Sequence, residues 1–290
     1  MMTISGKTQV CAVIGDPIKH SLSPVIQNAA FDYLNLDFVF LAFQVKAADL
    51  KKSIEGIRRL GIHGLNVTMP HKSAVIECLD EVNSTVKFLG SVNTILNRDG
   101  ILSGYNTDGI GALNALKENG VAISGKKVLL LGAGGAAKAI AFALVPEVGE
   151  LTILNRSAKK AESFAETLER KFSPKVVGGK LSPVAIEENL SNSDVLINAT
   201  SAGMKPSSNQ SLVAQQWLRS GLVVMDIVYD PVETKLAKDA KAAGAGVISG
   251  VEMLIYQGAA SFEIWTGRTA PIEVMRKAAL NTLSNMGENK

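Results

Sequence analysis

The chain has 290 residues, 47% hydrophobic and 20% charged, which is enough apolar material for a large core and more length than one average domain needs. Its net charge is +3, with Lys and Arg interspersed among Asp and Glu, so no basic run marks a nucleic-acid binder. Cys11 and Cys78 are far apart in apolar contexts, which fits free thiols in a reducing compartment and gives no metal-type spacing; no metal site is expected. No uncharged apolar run reaches the roughly 18 residues of a membrane span. Met1-Met2-Thr3-Ile4-Ser5-Gly6-Lys7 lacks the long apolar segment of a signal peptide, so a cytoplasmic setting without a membrane partner is expected.

In chain order, Val10 to Gly15 reads as a buried strand, and Ser23-Pro24 as an N-cap and first position of a helix reaching about Leu34. Phe38 to Phe43 is a strand, Ala47 to Leu60 an amphipathic helix ended by Gly61, and Leu65 to Thr68 a strand stopped by Pro70. A helix is expected from His71-Lys72 through about Val82, then a short one near Thr85 to Leu89. Strand Val92 to Leu96 turns at Arg98-Asp99-Gly100 into Ile101 to Tyr105. Asn106-Thr107-Asp108-Gly109 caps a helix running to Lys117. Strands 128–131, 151–154, 195–198, 223–228 and 247–248 follow, with helices 136–144, 158–171 and 233–243 among them. Such alternation implies a parallel, doubly wound sheet. Two helices, about 251–265 and 272–286, end the chain and need an apolar surface; packing back on the first domain would supply it.

The four apolar residues Val128 to Leu131 run straight into Gly132-Ala133-Gly134-Gly135-Ala136-Ala137. Gly132 permits a tight turn, Gly134 lets backbone N–H groups approach a pyrophosphate, and Ala137 keeps helix and strand close. The positive end of the following helix favours the same ligand. The plain alternative is a glycine-rich turn with no ligand. The next strand ends Leu154-Asn155-Arg156-Ser157-Ala158-Lys159-Lys160 without the acid that binds an unphosphorylated ribose. Arg156 and Lys160 offer positive charge instead, and Asn155 or Ser157 could donate hydrogen bonds. A guanidinium suits a phosphate dianion in charge and shape, so the set favours the 2′-phosphorylated dinucleotide over a merely solvated helix start.

Three polar clusters lie at strand ends or helix starts of the first half: Ser21-Leu22-Ser23, Asn66 through Lys72, and Asn93-Thr94 with Asn106-Thr107-Asp108. Hydroxyls and amides so placed suit a small polyhydroxylated substrate. Each has a plain reading as well, Ser23 and Thr107 as N-caps, Asn93 as a turn residue and Lys72 as an exposed lysine. Together, however, Gly15-Asp16-Pro17-Ile18-Lys19-His20-Ser21-Leu22-Ser23-Pro24, Asn66-Val67-Thr68-Met69-Pro70-His71-Lys72, Gly90-Ser91-Val92-Asn93-Thr94 and Asn106-Thr107-Asp108-Gly109-Ile110-Gly111 closely resemble the shikimate dehydrogenase family. The second half agrees through Gly132 to Ala136, Asn155-Arg156-Ser157, Asn198-Ala199-Thr200-Ser201, Asp226-Ile227-Val228-Tyr229, Gly250-Val251-Glu252-Met253-Leu254, Gln257-Gly258-Ala259 and Trp265-Thr266-Gly267.

The resemblance implies an α/β protein of two domains. Residues 1–108 with 251–290 would form a substrate-binding catalytic domain, and 109–250 a Rossmann-like domain for NADP, with the C-terminal helices returning to the first. It implies reversible reduction of 3-dehydroshikimate to shikimate by NADPH in aromatic amino-acid biosynthesis, by a monomer or homodimer. Lys72 would be the acid/base residue and Asp108 its partner. Ser21 and Ser23 would hold the substrate carboxylate, Thr68, Asn93, Asp108 and Gln257 the ring hydroxyls, with Asn66 and Tyr229 near the carboxylate. Gly132, Ala133, Gly134, Gly135, Ala136, Asn155, Arg156, Ser157 and Lys160 would hold the cofactor, and Ile227 and Gly250 would line its nicotinamide side. Ser84 departs from the acid and Ser157 from the threonine common in the family, while His71 reads as structural. The rivals are a quinate/shikimate dehydrogenase using NAD, which calls for an acid near Arg156, and a non-catalytic NADP-binding regulator, which has no need of Lys72 with Asp108.

Overall fold

The computed structural model describes residues 4–288; Met1, Met2 and Thr3 of the stretch read for a leader, and Asn289 and Lys290 of the last segment, lie outside the described residues. The chain divides into two compact units, Met1–Gly111 with Leu254–Lys290, and Ala112–Met253.

The first unit contains β1 (Gln9–Gly15), α1 (Ser23–Tyr33), β2 (Phe38–Gln44), α2 (Leu50–Arg59), β3 (Gly64–Val67), β4 (Glu81–Val82), α3 (Ser84–Leu89), β5 (Thr94–Arg98), β6 (Ile101–Tyr105) and the start of α4 (Asp108–Glu118). Its strands form a mixed sheet in the order β2-β1-β3-β5-β6-β4. The central strand β3 is buried at all four residues, as expected for a strand covered on both faces. One face packs Ala12, Ile14, Leu65 and Val67 against Leu50, Ile54 and Ile57 of α2. The β5–β6 hairpin closes on Asp99 and Gly100, both at positive φ (52° and 88°), which the primed hairpin turns require.

The second unit contains β7 (Lys127–Leu131), α5 (Gly135–Leu144), β8 (Glu150–Asn155), α6 (Ala158–Lys171), β9 (Lys175–Lys180), α7 (Pro183–Ser191), β10 (Val195–Asn198), β11 (Val223–Asp226), α8 (Lys235–Ala242) and β12 (Gly246–Ile248). All its pairings are parallel, in the order β12-β11-β10-β7-β8-β9. Renumbered within the unit, that is the doubly wound order of dinucleotide-binding sheets, reversing between β7 and β10.

The chain then forms α9 (Gly250–Thr266) and α10 (Ile272–Glu288), and they return to the first unit as expected. Phe262 stacks on Phe31 at 5.3 Å, Gln27 Nε2 donates to the Gly258 carbonyl at 2.8 Å, and Trp265 Nε1 donates to the Ile95 carbonyl at 2.9 Å. Gly64 makes room for this seam, because a Cβ there would stand 2.7 Å from the Trp265 ring.

Two expectations are corrected, and a third element is added. No α-helix spans 71–82: a short 3₁₀ turn covers Ala74–Cys78, and Glu81–Val82 is a strand paired with β6. Tertiary bonds override helical composition there: Asp80 Oδ2 accepts from Arg58 Nη1 at 2.6 Å and from the Leu102 N–H at 2.7 Å. Ser23 is not an N-cap; α1 begins on it, because buried Leu22 already has helical angles, and its N–H is met at 3.3 Å by the Ser21 hydroxyl two residues earlier. The third concerns α7, absent from the sequence reading although Ser182 caps it, accepting from the Ala185 N–H at 3.2 Å.

Gly64→Ala should lower stability by about 1–3 kcal/mol through overpacking on Trp265, read as a fall in the urea midpoint with an unchanged slope. The Arg58 guanidinium holds the Asp80 carboxyl below the usual carboxylate range. A group whose pKa is lower in the fold than in the unfolded chain stabilises above its unfolded pKa, and that contribution fades as pH falls through the folded value. Asp80→Asn should therefore cost about 1 kcal/mol at neutral pH, allowing for solvent screening. The gap between parent and variant should close below about pH 4, in denaturation curves taken across pH.

Candidate active site

In the first unit the strand ends present a compact polar group. Lys72 sits in the turn after β3 and is pinned on both sides. Its carbonyl accepts from the Val92 N–H at 2.8 Å, while the preceding His71 is 1% exposed and donates through Nε2 to the Val45 carbonyl at 2.7 Å. The histidine therefore anchors the turn and does not face the chemistry. Lys72 Nζ reaches Asp108 Oδ2 at 2.6 Å, with side chains 21% and 7% exposed. Asp108 opens α4, where its N–H is met by Asn106 Oδ1 at 3.1 Å. Its other oxygen, Oδ1, accepts from Asn93 Nδ2 at 2.7 Å, and the same nitrogen lies 3.4 Å from Gln257 Oε1 on α9. That approach of helices depends on Gly111, whose absent Cβ would stand 2.7 Å from the Gln257 backbone nitrogen.

Lys72, Asn93, Asp108 and Gln257 are thus directly linked, and Asn66 joins them by donating through Nδ2 to the Asn93 carbonyl at 3.1 Å. Among the described residues, buried Asn66 Oδ1 has no hydrogen-bond partner, an acceptor held ready for a ligand group. Thr68 follows β3, its N–H bonded to the Ile14 carbonyl at 2.9 Å, and its methyl fills the space a Cβ on Gly15 would need. Ser21 and Ser23 lie at the start of α1 and make no direct hydrogen bond to Lys72, Asp108 or Asn93 among the described residues. Sequence reasoning missed Ser261, which is fully buried and touches the hydroxyls of Thr94 (2.7 Å) and Thr107 (3.2 Å). Its signal was the spacing of four from Gln257, which puts both on one helix face.

In the second unit, Gly132 follows β7 at φ +112°, and a side chain there would strike the Ala199 carbonyl oxygen at 2.8 Å. The turns after β7 and β10, which carry Gly132 and Ala199, flank the point where strand order reverses. Gly134 is the cap residue of α5 and has open space where a Cβ would stand, so the helix start is free for a close ligand approach. Gly135 and Ala136 form its first turn, and Ala133 is buried beneath it. At the end of β8, Asn155 Nδ2 bonds the Ser157 carbonyl at 3.1 Å. Arg156 and Lys160 are exposed, and Ser157 caps α6 by position while its hydroxyl makes no capping bond. At the end of β11, buried Asp226 is held by Thr234 Oγ1 (2.7 Å), Asn198 Nδ2 (2.9 Å) and the Val228 N–H (3.1 Å), and burial pushes its carboxyl above the ordinary value. The following Ile227 presses so close to Gly250 that a Cβ there would stand 2.5 Å from its carbonyl oxygen. Tyr229 is half-buried, and desolvation raises its phenol, with Asp230 adding to the effect.

Three family models match along the chain: the shikimate dehydrogenase substrate binding domain over residues 13–95, shikimate / quinate 5-dehydrogenase over 114–242, and the shikimate 5′-dehydrogenase C-terminal domain over 250–280. A shikimate dehydrogenase (NADP(+)) of Pyrococcus abyssi is 48% identical over 275 residues, covering 95% of this chain and 98% of that one. Another, of Methanothermobacter thermautotrophicus, is 44% identical over 285 residues, covering 97% and 99%. Among solved structures, a shikimate dehydrogenase in complex with NADP+ superposes with a TM-score of 0.91 at 42% identity, covering 97% of this chain and 98% of that one. On these matches over nearly its whole length, the chain belongs to the shikimate dehydrogenase family.

Proposed function

We propose that this chain catalyses the reversible NADPH-dependent reduction of 3-dehydroshikimate to shikimate. The observation that carries the proposal is the Lys72–Asp108 pair at 2.6 Å, set among amides with open hydrogen-bonding capacity. The second unit suits the cofactor, since the bare approach at Gly134 and the uncapped Ser157 hydroxyl beside exposed Arg156 leave donors and charge unspent. Gly132, Ala133, Gly134, Gly135 and Ala136 would hold the diphosphate. Asn155, Arg156, Ser157 and Lys160 would hold the 2′-phosphate, and Ile227 and Gly250 the nicotinamide side. Bound NADPH supplies the hydride.

The protein's own part in the chemistry is the proton. Lys72 as an ammonium donates to the substrate ketone oxygen, stabilises the negative charge that develops there, and passes its proton to form the hydroxyl. In the reverse direction the neutral amine takes the hydroxyl proton. Asp108 holds the nitrogen in place through Oδ2, while its Oδ1 stays bonded to Asn93. Asn93, Asp108, Thr68 and Gln257 orient the ring hydroxyls, Ser21 and Ser23 take the carboxylate, and Asn66 and Tyr229 complete that end. Residues 1–108 with 251–290 act as the substrate domain and 109–250 as the cofactor domain. A cytoplasmic setting, in keeping with the free thiols of Cys11 and Cys78, and a monomer or homodimer belong to the same reading.

The rival that uses NAD is disfavoured by Arg156 standing where a ribose-binding acid would, and the regulator by retention of both Lys72 and Asp108. The deciding assay follows NADP+ and NAD+ reduction spectrophotometrically with shikimate and quinate side by side. A higher kcat/KM with NAD+ would overturn the cofactor assignment. Lys72→Ala should lower kcat by at least about 10²-fold, the usual loss of a general acid–base group, with shikimate KM changing far less. Full turnover by that variant would remove Lys72 from the mechanism. Arg156→Ala should raise the NADPH KM by about tenfold or more, as loss of a charge-assisted bond does, and leave the rate with NADH unaltered. Equal losses with both cofactors would exclude a 2′-phosphate contact.

A further inference from the structure

We propose that Ser261 and Thr94 are positioning residues, which set the way the carboxamides of Asn66 and Asn93 face the substrate. This rests on the reading that those two amides bind substrate. Asn93 is 3% exposed, and two groups of fixed polarity flank it. The Thr107 N–H donates to its Oδ1 at 2.8 Å, and its Nδ2 donates to the Asp108 carboxylate at 2.7 Å. Asn66 has only one such group, the Asn93 carbonyl, which takes a single Nδ2 proton at 3.1 Å. Its second proton meets hydroxyls, with Thr94 Oγ1 at 3.2 Å and Ser261 Oγ at 3.1 Å. Those hydroxyls turn the nitrogen of Asn66 inward and leave Oδ1 as the buried, unpartnered acceptor.

The hydroxyls also support one another. Thr94 Oγ1 lies 2.9 Å from Asn93 Oδ1 and 2.7 Å from Ser261 Oγ, and Thr107 Oγ1 lies 3.2 Å from Ser261 Oγ. Each hydroxyl carries one proton, and two of the arrangements open to them are these. In one, Ser261 donates to Thr94, Thr94 to Asn93 and Thr107 to Ser261. In the other, Ser261 donates to the Gln257 carbonyl at 3.1 Å, Thr94 to Ser261, and Thr107 to Asn93 Oδ1 at 3.2 Å. Either way Ser261 joins α9 to β3 and β5, and in the first arrangement to Thr107 before α4 as well, yet among the described residues neither Ser261 nor Thr94 bonds Lys72 or Asp108. Removing either hydroxyl should therefore loosen substrate binding more than proton transfer.

The test is steady-state oxidation of shikimate with NADP+ by the full chain carrying Ser261→Ala, Thr94→Val or Thr94→Ser, each checked by circular dichroism. Ser261→Ala and Thr94→Val should raise the shikimate KM by about tenfold, the worth of one well-placed hydrogen bond, and leave the NADP+ KM within about twofold. Thr94→Ser, which keeps the hydroxyl, should restore the parent KM. A role in stability alone would lower the melting temperature without this split or this rescue. The proposal is overturned if Thr94→Val keeps the parent shikimate KM, if Thr94→Ser is impaired as badly as Thr94→Val, or if both substrates' KM values rise together. The two Thr94 variants decide the matter even where Ser261→Ala fails to fold. A parent chain without activity on shikimate would overturn the function itself, whereas an active parent with unaltered variants overturns this inference alone.

Discussion

A half-buried ammonium beside a carboxylate is the constraint around which the first unit is built. Taking Lys72 and Asp108 out of water costs several kcal/mol per ion, and the pair persists only where the remaining lone pairs and protons are met. Asp108 meets that demand with Lys72 on one oxygen and Asn93 on the other. Asn93 must then be ordered, and its own oxygen is satisfied by the Thr107 N–H and the Thr94 hydroxyl. The requirement passes outward until it reaches backbone: the Val92 N–H on the Lys72 carbonyl, and the His71 ring on that of Val45. A fold assembled in this way has little tolerance for a missing hydroxyl at its centre and much for change at its rim.

Close approach is the second constraint, and it is set by absent side chains. Gly64 lets the Trp265 ring lie against β3, Gly111 lets α9 meet α4, and Gly250 lets α9 start against the turn after β11. None of these three depends on a left-handed backbone; each is a place where a methyl group would collide. Gly132 is different, combining a positive φ with a carbonyl in the way, so the turn after β7 admits no other residue without strain.

The fold was legible where one physical signal dominated. An apolar run ending in glycine marked β7, alternation of strands with helices marked the parallel sheet, and the Asp99-Gly100 turn marked the hairpin. The pairing of Lys72 with Asp108 was readable only through family resemblance, since no spacing rule brings those positions together. The failures have a common cause in long-range bonds. Residues 71–82 have helical composition, but Arg58 and Leu102 capture Asp80 and pull the chain into a strand. Leu22 is buried and draws α1 one residue earlier than its serine would start it. Ser261 looked like one more small residue in an apolar helix, and its importance exists only once β3, β5 and α4 surround it. Ser182-Pro183, by contrast, is a local start signal for α7 that composition alone made easy to pass over.

The first unit is assembled from both ends of the sequence, with the whole of the second made in between. A ribosome therefore delivers β1 to β6 first, then a contiguous body of parallel strands and helices that can collapse as each piece emerges. The nascent N-terminal sheet must wait through that interval with its Trp265 seat at Gly64 empty and the Phe31 ring, stacked on Phe38, without Phe262. Gln257 and Ser261 are synthesised only afterwards. The polar group around Asn93 is thus completed last, and a truncated chain would have Lys72 and Asp108 in its sequence without the helix that fixes their surroundings.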